Sequence, residues 1–206
     1  MLLAPLMLLG ADDPELPDDA VSSRILDAAF DLTAASGVQH LTMNAVARRA
    51  RVGRMTVYRR FGGKQALVRA LGVREGRRCI AEIDAASSPD APIAEQVAAG
   101  LATSLRLTRE HPLMSRLIKL EPETVLAALT KDGGALFGIA RTYVAERLRE
   151  SQRAGQLGEI DVDEAAELLV RLGVSFALIP ESVLPLEDEE RIRGLARRLL
   201  APILEG

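Results

Sequence analysis

Tryptophan is absent, aromatic residues make up 3% of the chain, and there is one cysteine, Cys79. A lone cysteine excludes an internal disulfide framework. The two histidines, His40 and His111, lie far apart and give no zinc-ligand spacing. All three read as ordinary core or surface positions, and no metal site is expected. Also missing are a Ser/His/Asp set, a glycine-rich phosphate loop after a strand, any convincing strand alternation and any internal repeat. No catalytic residues, no cofactor and no enzymatic activity are therefore expected. No apolar run is long enough to span a bilayer. The first nine residues, MLLAPLMLL, are apolar, but no Lys or Arg precedes Arg24, so the basic region of a secretory signal is missing. With the acidic linker ADDPELPDD they read as a poorly ordered arm over residues 1–18, in preference to a cleaved signal.

What is present is 206 residues that are 48% hydrophobic and 27% charged, enough for a real core in an ordinary soluble protein. Ala, Leu, Arg and Glu favour helix over sheet. The net charge is −3, yet residues 43–78 hold eleven basic groups and a single acid, Glu75. That window carries +10, which leaves −13 for the remainder. A basic module on an acidic body is the footprint of a polyanion binder that contacts its partner at one end; the alternative is a merely solvated arginine-rich face.

The helical spacing of Val21, Ile25, Ala28, Ala29 and Leu32 predicts a first helix from about Pro17 or Asp19 to Ser36. Asp18 or Asp19 serves as N-cap and Gly37 as terminator. LTMNAVARRA predicts a short second helix capped by Thr42, RVG a turn, and RMTVYRRF a third helix with Val57 and Phe61 turned inward. A fourth runs from about Lys64 to Ala86. Beyond SSPDAP, helices are expected at about 92–110, 112–119, 122–131, 134–154, 163–183 and 187–204.

Two short helices joined by three residues form a helix-turn-helix, whose second helix fits the major groove. Ala47 is small where the two must approach, and the outer face of the third helix keeps Arg54, Met55, Thr56, Tyr58 and Arg59. Over ILDAAFDLTAASGVQHLTMNAVARRARVGRMTVYRRFGGKQALVRAL the chain resembles the TetR family of bacterial transcription regulators. The likeness rests on a set: a first helix ending in Gly37, Leu41-Thr42, the Ala47 helix, Thr56-Val57-Tyr58, Phe61, and Lys64 with Leu67. It implies an all-α homodimer. A three-helix DNA-binding head, residues 19–66, is joined by the fourth helix to a helical effector-binding and dimerisation body, residues 67–206.

The resemblance also implies roles. Tyr58 and Lys64 match the family's phosphate-contacting Tyr and Lys, with simple packing as the alternative for Tyr58. Thr42 can bond a phosphate, and the helix N-terminus beside Lys64 adds partial positive charge. Arg54, Met55 and Thr56 are the candidates for base edges: Arg54 suits guanine, and Met55 a thymine methyl. Arg59 and Arg60 are candidates for the backbone or neighbouring bases. Three positions depart from the family: Arg51 replaces the usual turn glycine, and Gly53 and Gly63 replace the usual caps of the third and fourth helices.

In the body, the apolar stripes Leu168, Leu169, Leu172, Phe176, Ile179 and Ile192, Leu195, Leu199, Ile203 are wider than one subunit needs. They are expected to meet their symmetry mates as a four-helix bundle. Leu105, Met114, Leu117, Ile118, Leu136, Phe137, Tyr143 and Phe176 are the candidate lining of an effector site, with plain core packing as the alternative for each. Such apolar walls suit a small hydrophobic ligand, with His111, Arg116 and Arg141 as weak candidates for its polar end. The expected protein is a cytoplasmic, sequence-specific repressor that binds a double-stranded DNA operator and is released by a small apolar ligand. It has no membrane partner. The alternatives are an architectural or ligand-independent DNA binder and, from another class, a small helical enzyme.

Overall fold

In a computed structural model of the chain, the described residues are 19–120, 123, 133–179, 181–184, 186, 188–200, 202 and 204. They form nine α-helices and no strand. The expected arm, residues 1–18, lies outside them, as does the expected helix at 122–131 apart from residue 123.

Helix α1, Ala20–Ser36, starts where the Asp19 side chain accepts from the backbone N–H groups of Val21 and Ser22. It ends at Gly37, whose φ of 88° a Cβ would resist. Its stripe buries Ile25, Leu26, Ala28 and Ala29. After one 3₁₀ turn, Val38–His40, helix α2 runs Met43–Ala50 with the Thr42 hydroxyl oxygen accepting from Ala45 N–H. Arg51 then adopts the left-handed conformation, φ 55° and ψ 46°, and its N–H closes the last turn of α2. Helix α3 spans Arg54–Phe61, and Val57 and Phe61 are its buried residues, the inward pair that the spacing predicted.

Helix α4, Lys64–Asp84, is one unbroken run of 21 residues, about 30 Å long at 1.5 Å per residue. It packs against α1 and α3 near its start and against α5, Ile93–Glu110, further on. Helix α5 is the axis of the body. Small residues along it (Ala98, Ala99, Gly100, Ala102, Thr103 and Ser104) are buried, so neighbouring helices can approach closely. It contacts α4, α6 (Pro112–Leu120), α8 (Val162–Leu178) and α9 (Glu189–Leu199). Helix α7, Gly133–Arg153, pairs with α8. Helix α9 is stapled to α5 by Arg193 and Arg197, which share Glu95 at 3.2 and 2.7 Å.

Helix α8 stops at Leu178, five residues short of the expected end. Ile179 leaves the helical region at φ −124°, ψ 83°. It precedes Pro180 in the sequence, and the proline ring disfavours helical geometry in the residue before it. Cys79 is buried; burial, with Glu75 and Glu82 nearby, pushes its thiol up to about 12. It is therefore a protonated core residue at neutral pH.

One buried carboxylate joins head and body. Glu75 is 3% exposed. It accepts from Arg74 Nε at 2.7 Å and Arg78 Nη1 at 3.1 Å, with His111 Nε2 at 3.5 Å. Arg74 also reaches Asp27 of α1 at 2.7 Å, and Phe30 of α1 meets the His111 ring edge-on at 5.9 Å between centroids. Desolvation raises the Glu75 pKa, but His111 and the arginines outweigh it and hold the carboxyl below its usual value.

Two expectations follow. Arg51→Gly relieves left-handed strain of about 1–2 kcal/mol, partly offset by the freedom glycine has when unfolded. A net gain of about 0.5–1 kcal/mol in urea unfolding is expected. Glu75→Gln breaks a buried charge cluster and costs about 3 kcal/mol. Because the folded pKa is depressed, this contribution is present above the ordinary Glu value of about 4.3 and is lost as pH falls through the lower folded one. Acid unfolding of Glu75→Gln should be correspondingly less steep than that of the wild type.

Candidate nucleic-acid interface and effector cavity

The head exposes its basic residues on the side away from its core. Val57 and Phe61 bury one face of α3; Met55 and Arg59 lie opposite, and Arg54, at the start of the helix, is exposed as well. Met55 is a large apolar side chain left 75% open, as a methyl-contacting residue requires. Thr56 is half-buried. Arg54 is ordered within its own helix: its guanidinium lies 5.2 Å from the centroid of the Tyr58 ring and donates to the Tyr58 hydroxyl at 3.4 Å. One helical turn separates the two, the spacing at which side chains meet.

Neither α3 nor α4 has a side-chain N-cap, because Gly53 and Gly63 hold those positions. The first N–H groups of both helices are thereby left to outside acceptors, which suits phosphate. Lys64, at the start of α4, donates to the Gln39 carbonyl at 2.9 Å, so its ammonium sits between that helix end and the 3₁₀ turn. Thr42 is exposed; its oxygen already accepts from Ala45 N–H, which leaves the O–H to donate outward. Arg48 on α2 was counted in the sequence only as charge. It is exposed and makes no ion pair among the described residues, whereas Arg49 beside it is taken by Asp31 at 2.6 Å. Helical phase alone does not distinguish the two.

Arg60 departs from expectation. Its guanidinium is turned inward onto the Asp19 carboxylate and donates to Ser22 Oγ at 2.8 Å, while its buried Nε has no partner. The Ser22 hydroxyl in turn donates to Asp19 at 2.7 Å. Hydrogen bonding from Ser22, the backbone and Arg60 holds the Asp19 carboxyl below its usual range. Arg60 therefore locks the end of α3 to the start of α1, and Arg59 is the one that faces outward.

In the body, a cavity of about 420 Å³ opens between the last turn of α4, the loop after it, the first half of α5 and the second half of α7. Of the residues expected to line an effector site, Tyr143 alone lies on it. Leu105 and Met114 are buried in the core; Ile118, Phe137 and Phe176 are half-buried at its edge; the side chains of Leu117 and Leu136 lie outside the described set. His111 is committed to Glu75. Apolar spacing marks burial, and burial is not proximity to a void.

Residues 25–71 match the family described as bacterial regulatory proteins, tetR family, and residues 93–199 match the bacterial tetracyclin repressor C-terminal domain. An uncharacterised HTH-type transcriptional regulator of Mycobacterium tuberculosis is 26% identical over 186 residues, 90% of this chain and 86% of its own. The HTH-type transcriptional regulator AlkX of the same organism is 26% identical over 185 residues, 88% and 83% of the two chains. Among solved structures, the TetR family repressor AlkX from a Dietzia strain, implicated in biodegradation of n-alkanes, superposes with a TM-score of 0.61. It is 24% identical and covers 88% of this chain and 96% of its own. The helix-turn-helix with its exposed basic face and the helical body behind it place the chain in the TetR family of bacterial regulatory proteins, DNA-binding transcriptional regulators and not enzymes.

Proposed function

We propose that the protein is a cytoplasmic, dimeric, sequence-specific repressor released from its operator by a small molecule. The observation that carries this reading is the reach of α4. One rigid helix starts at Lys64, beside the recognition face, and ends at Ile83 and Asp84 on the wall of the cavity. A ligand at the far end can shift operator affinity by its differential affinity for the two positions of that helix. The head is residues 19–66 and the body 67–206. In the head, Arg54, Met55 and Thr56 address base edges, while Thr42, Tyr58, Arg59 and Lys64 hold phosphates. Arg60 supports them from behind.

The dimer forms through α8 and α9. Leu169, Leu195 and Ala196 are used up inside the subunit, but Leu168, Ile179 and Leu199 remain 50%, 63% and 55% exposed. Leaving several large apolar groups on the last two helices favours pairing with a second copy. The likeness to a repressor implicated in n-alkane biodegradation supports an effector with an apolar body.

The experiment is operator affinity across a salt series. Each phosphate neutralised contributes a log–log slope of about −0.9. Lys64→Ala should weaken binding to all sequences alike and make the slope shallower by about one phosphate; a change in sequence preference at unchanged slope contradicts its role. Arg54→Ala should instead cost about 1–3 kcal/mol and relax selectivity at one base pair of each half-site. Footprinting should show a near-palindrome whose half-sites lie about one helical turn, or a multiple, apart. Binding that shows no preference over competitor DNA would favour an architectural role.

A further inference from the structure

We propose that the cavity between α4, α5 and α7 takes an amine or other organic cation with an apolar body, and discriminates against carboxylates. The inference deepens the reading of the body as an effector-binding unit and rests on it. Ile83 of α4, Ile93 and Val97 of α5, and Val144 and Leu148 of α7 give the cavity an apolar floor. Its rim is charged: Asp84, Asp90 and Glu150 face a single cation, Arg147. Of the residues expected to line an effector site, Tyr143 is the one on this void.

The charge on the rim is unbalanced, and the arrangement of its groups accentuates this. Arg147 is already divided between Asp84 at 3.4 Å and Glu150 at 2.9 Å, with its guanidinium 5.6 Å from the centre of the Tyr143 ring. The Tyr143 hydroxyl donates to Asp84. Two carboxylates thus share one guanidinium, Asp84 also takes the phenol, and Asp90 on the same rim pairs with neither, so the rim has a net charge of −2. A carboxylate ligand would add a fourth negative group where the one cation is engaged. An ammonium would find the carboxylates and the aromatic face that Arg147 now covers.

The wall is also built rather than incidental. Gln96 Nε2 donates to the carbonyls of Pro89 at 3.0 Å and Ala91 at 2.8 Å, and Gln156 Nε2 donates to Pro89 at 3.3 Å, so two glutamines from different segments hold the loop after α4 beside the cavity. Ser151, 5% exposed, also lines the cavity.

The test compares three probes with one body and different heads (n-octylammonium, 1-octanol and octanoate) by calorimetric titration of the full-length protein at pH 7. Octylammonium should bind about ten-fold or more tighter than octanoate, a difference of about 1.4 kcal/mol, with octanol between them. In the Asp90→Asn, Glu150→Gln double variant, whose two sites are exposed and tolerant of isosteric exchange, the preference for the cation should fall several-fold. Octanoate binding as tightly as octylammonium overturns the proposal. So does failure of all three probes to saturate, or an undiminished preference in the double variant. Operator affinity measured in the same samples keeps the two readings apart. If octylammonium binds as described but leaves operator affinity unchanged, the charge assignment stands and release by this site falls.

Discussion

Everything the protein has to do depends on holding one carboxylate out of water. Glu75 sits where α4 passes from the head into the body, and its charge is tolerable there because Arg74, Arg78 and His111 surround it. An isolated buried charge would be costly, and a paired one is retained when its partners complete its hydrogen bonds. Those partners come from different places. Arg74 is also tied to Asp27 of α1, and His111 stands at the corner between α5 and α6 against Phe30. Head, connector and body therefore meet at a single charged junction, and α4 cannot shift without rearranging it. Packed, charged junctions of this kind favour discrete arrangements over continuous deformation.

The head was legible from the sequence because its signals are local. The Asp19 and Thr42 caps, the Gly37 stop, the Val57–Phe61 pair and the left-handed Arg51 depend on residues within a turn or two. Arg60 was misplaced because its partners, Asp19 and Ser22, are 41 and 38 residues away. Helical spacing puts Arg60 beside the inward Val57–Phe61 pair, and only the packing of α1 across α3 shows that an acid is waiting there. The expected effector lining and the cavity diverge for a related reason. Leu105 and Met114 are apolar at the right period and end in the core, while Gln96, Ser151 and Gln156 carry no periodic signal and end on the cavity. The overrun of α8 was a local error, since Pro180 announces the stop.

The split of charge between a basic head and an acidic remainder has to be weighed against distance. Screening in physiological salt acts over about 8 Å, while α4 alone extends about 30 Å. Acids at the far end of the body are therefore too distant to weaken phosphate contacts appreciably at the head. Their effect is orientational: a molecule approaching DNA body-first is disfavoured, and the head is presented instead.

The stacking of Arg54 on Tyr58 bears on the thermodynamics of recognition. A long, free arginine loses about 1–2 kcal/mol of rotamer entropy when a base immobilises it. Here the ring and the hydroxyl already restrict that side chain in the unliganded protein, so part of the loss precedes the encounter. On the proposed base-reading role of Arg54, replacing Tyr58 would penalise binding even at a base pair it never approaches, by returning disorder to its neighbour, and the penalty would be felt as entropy and not as a missing contact.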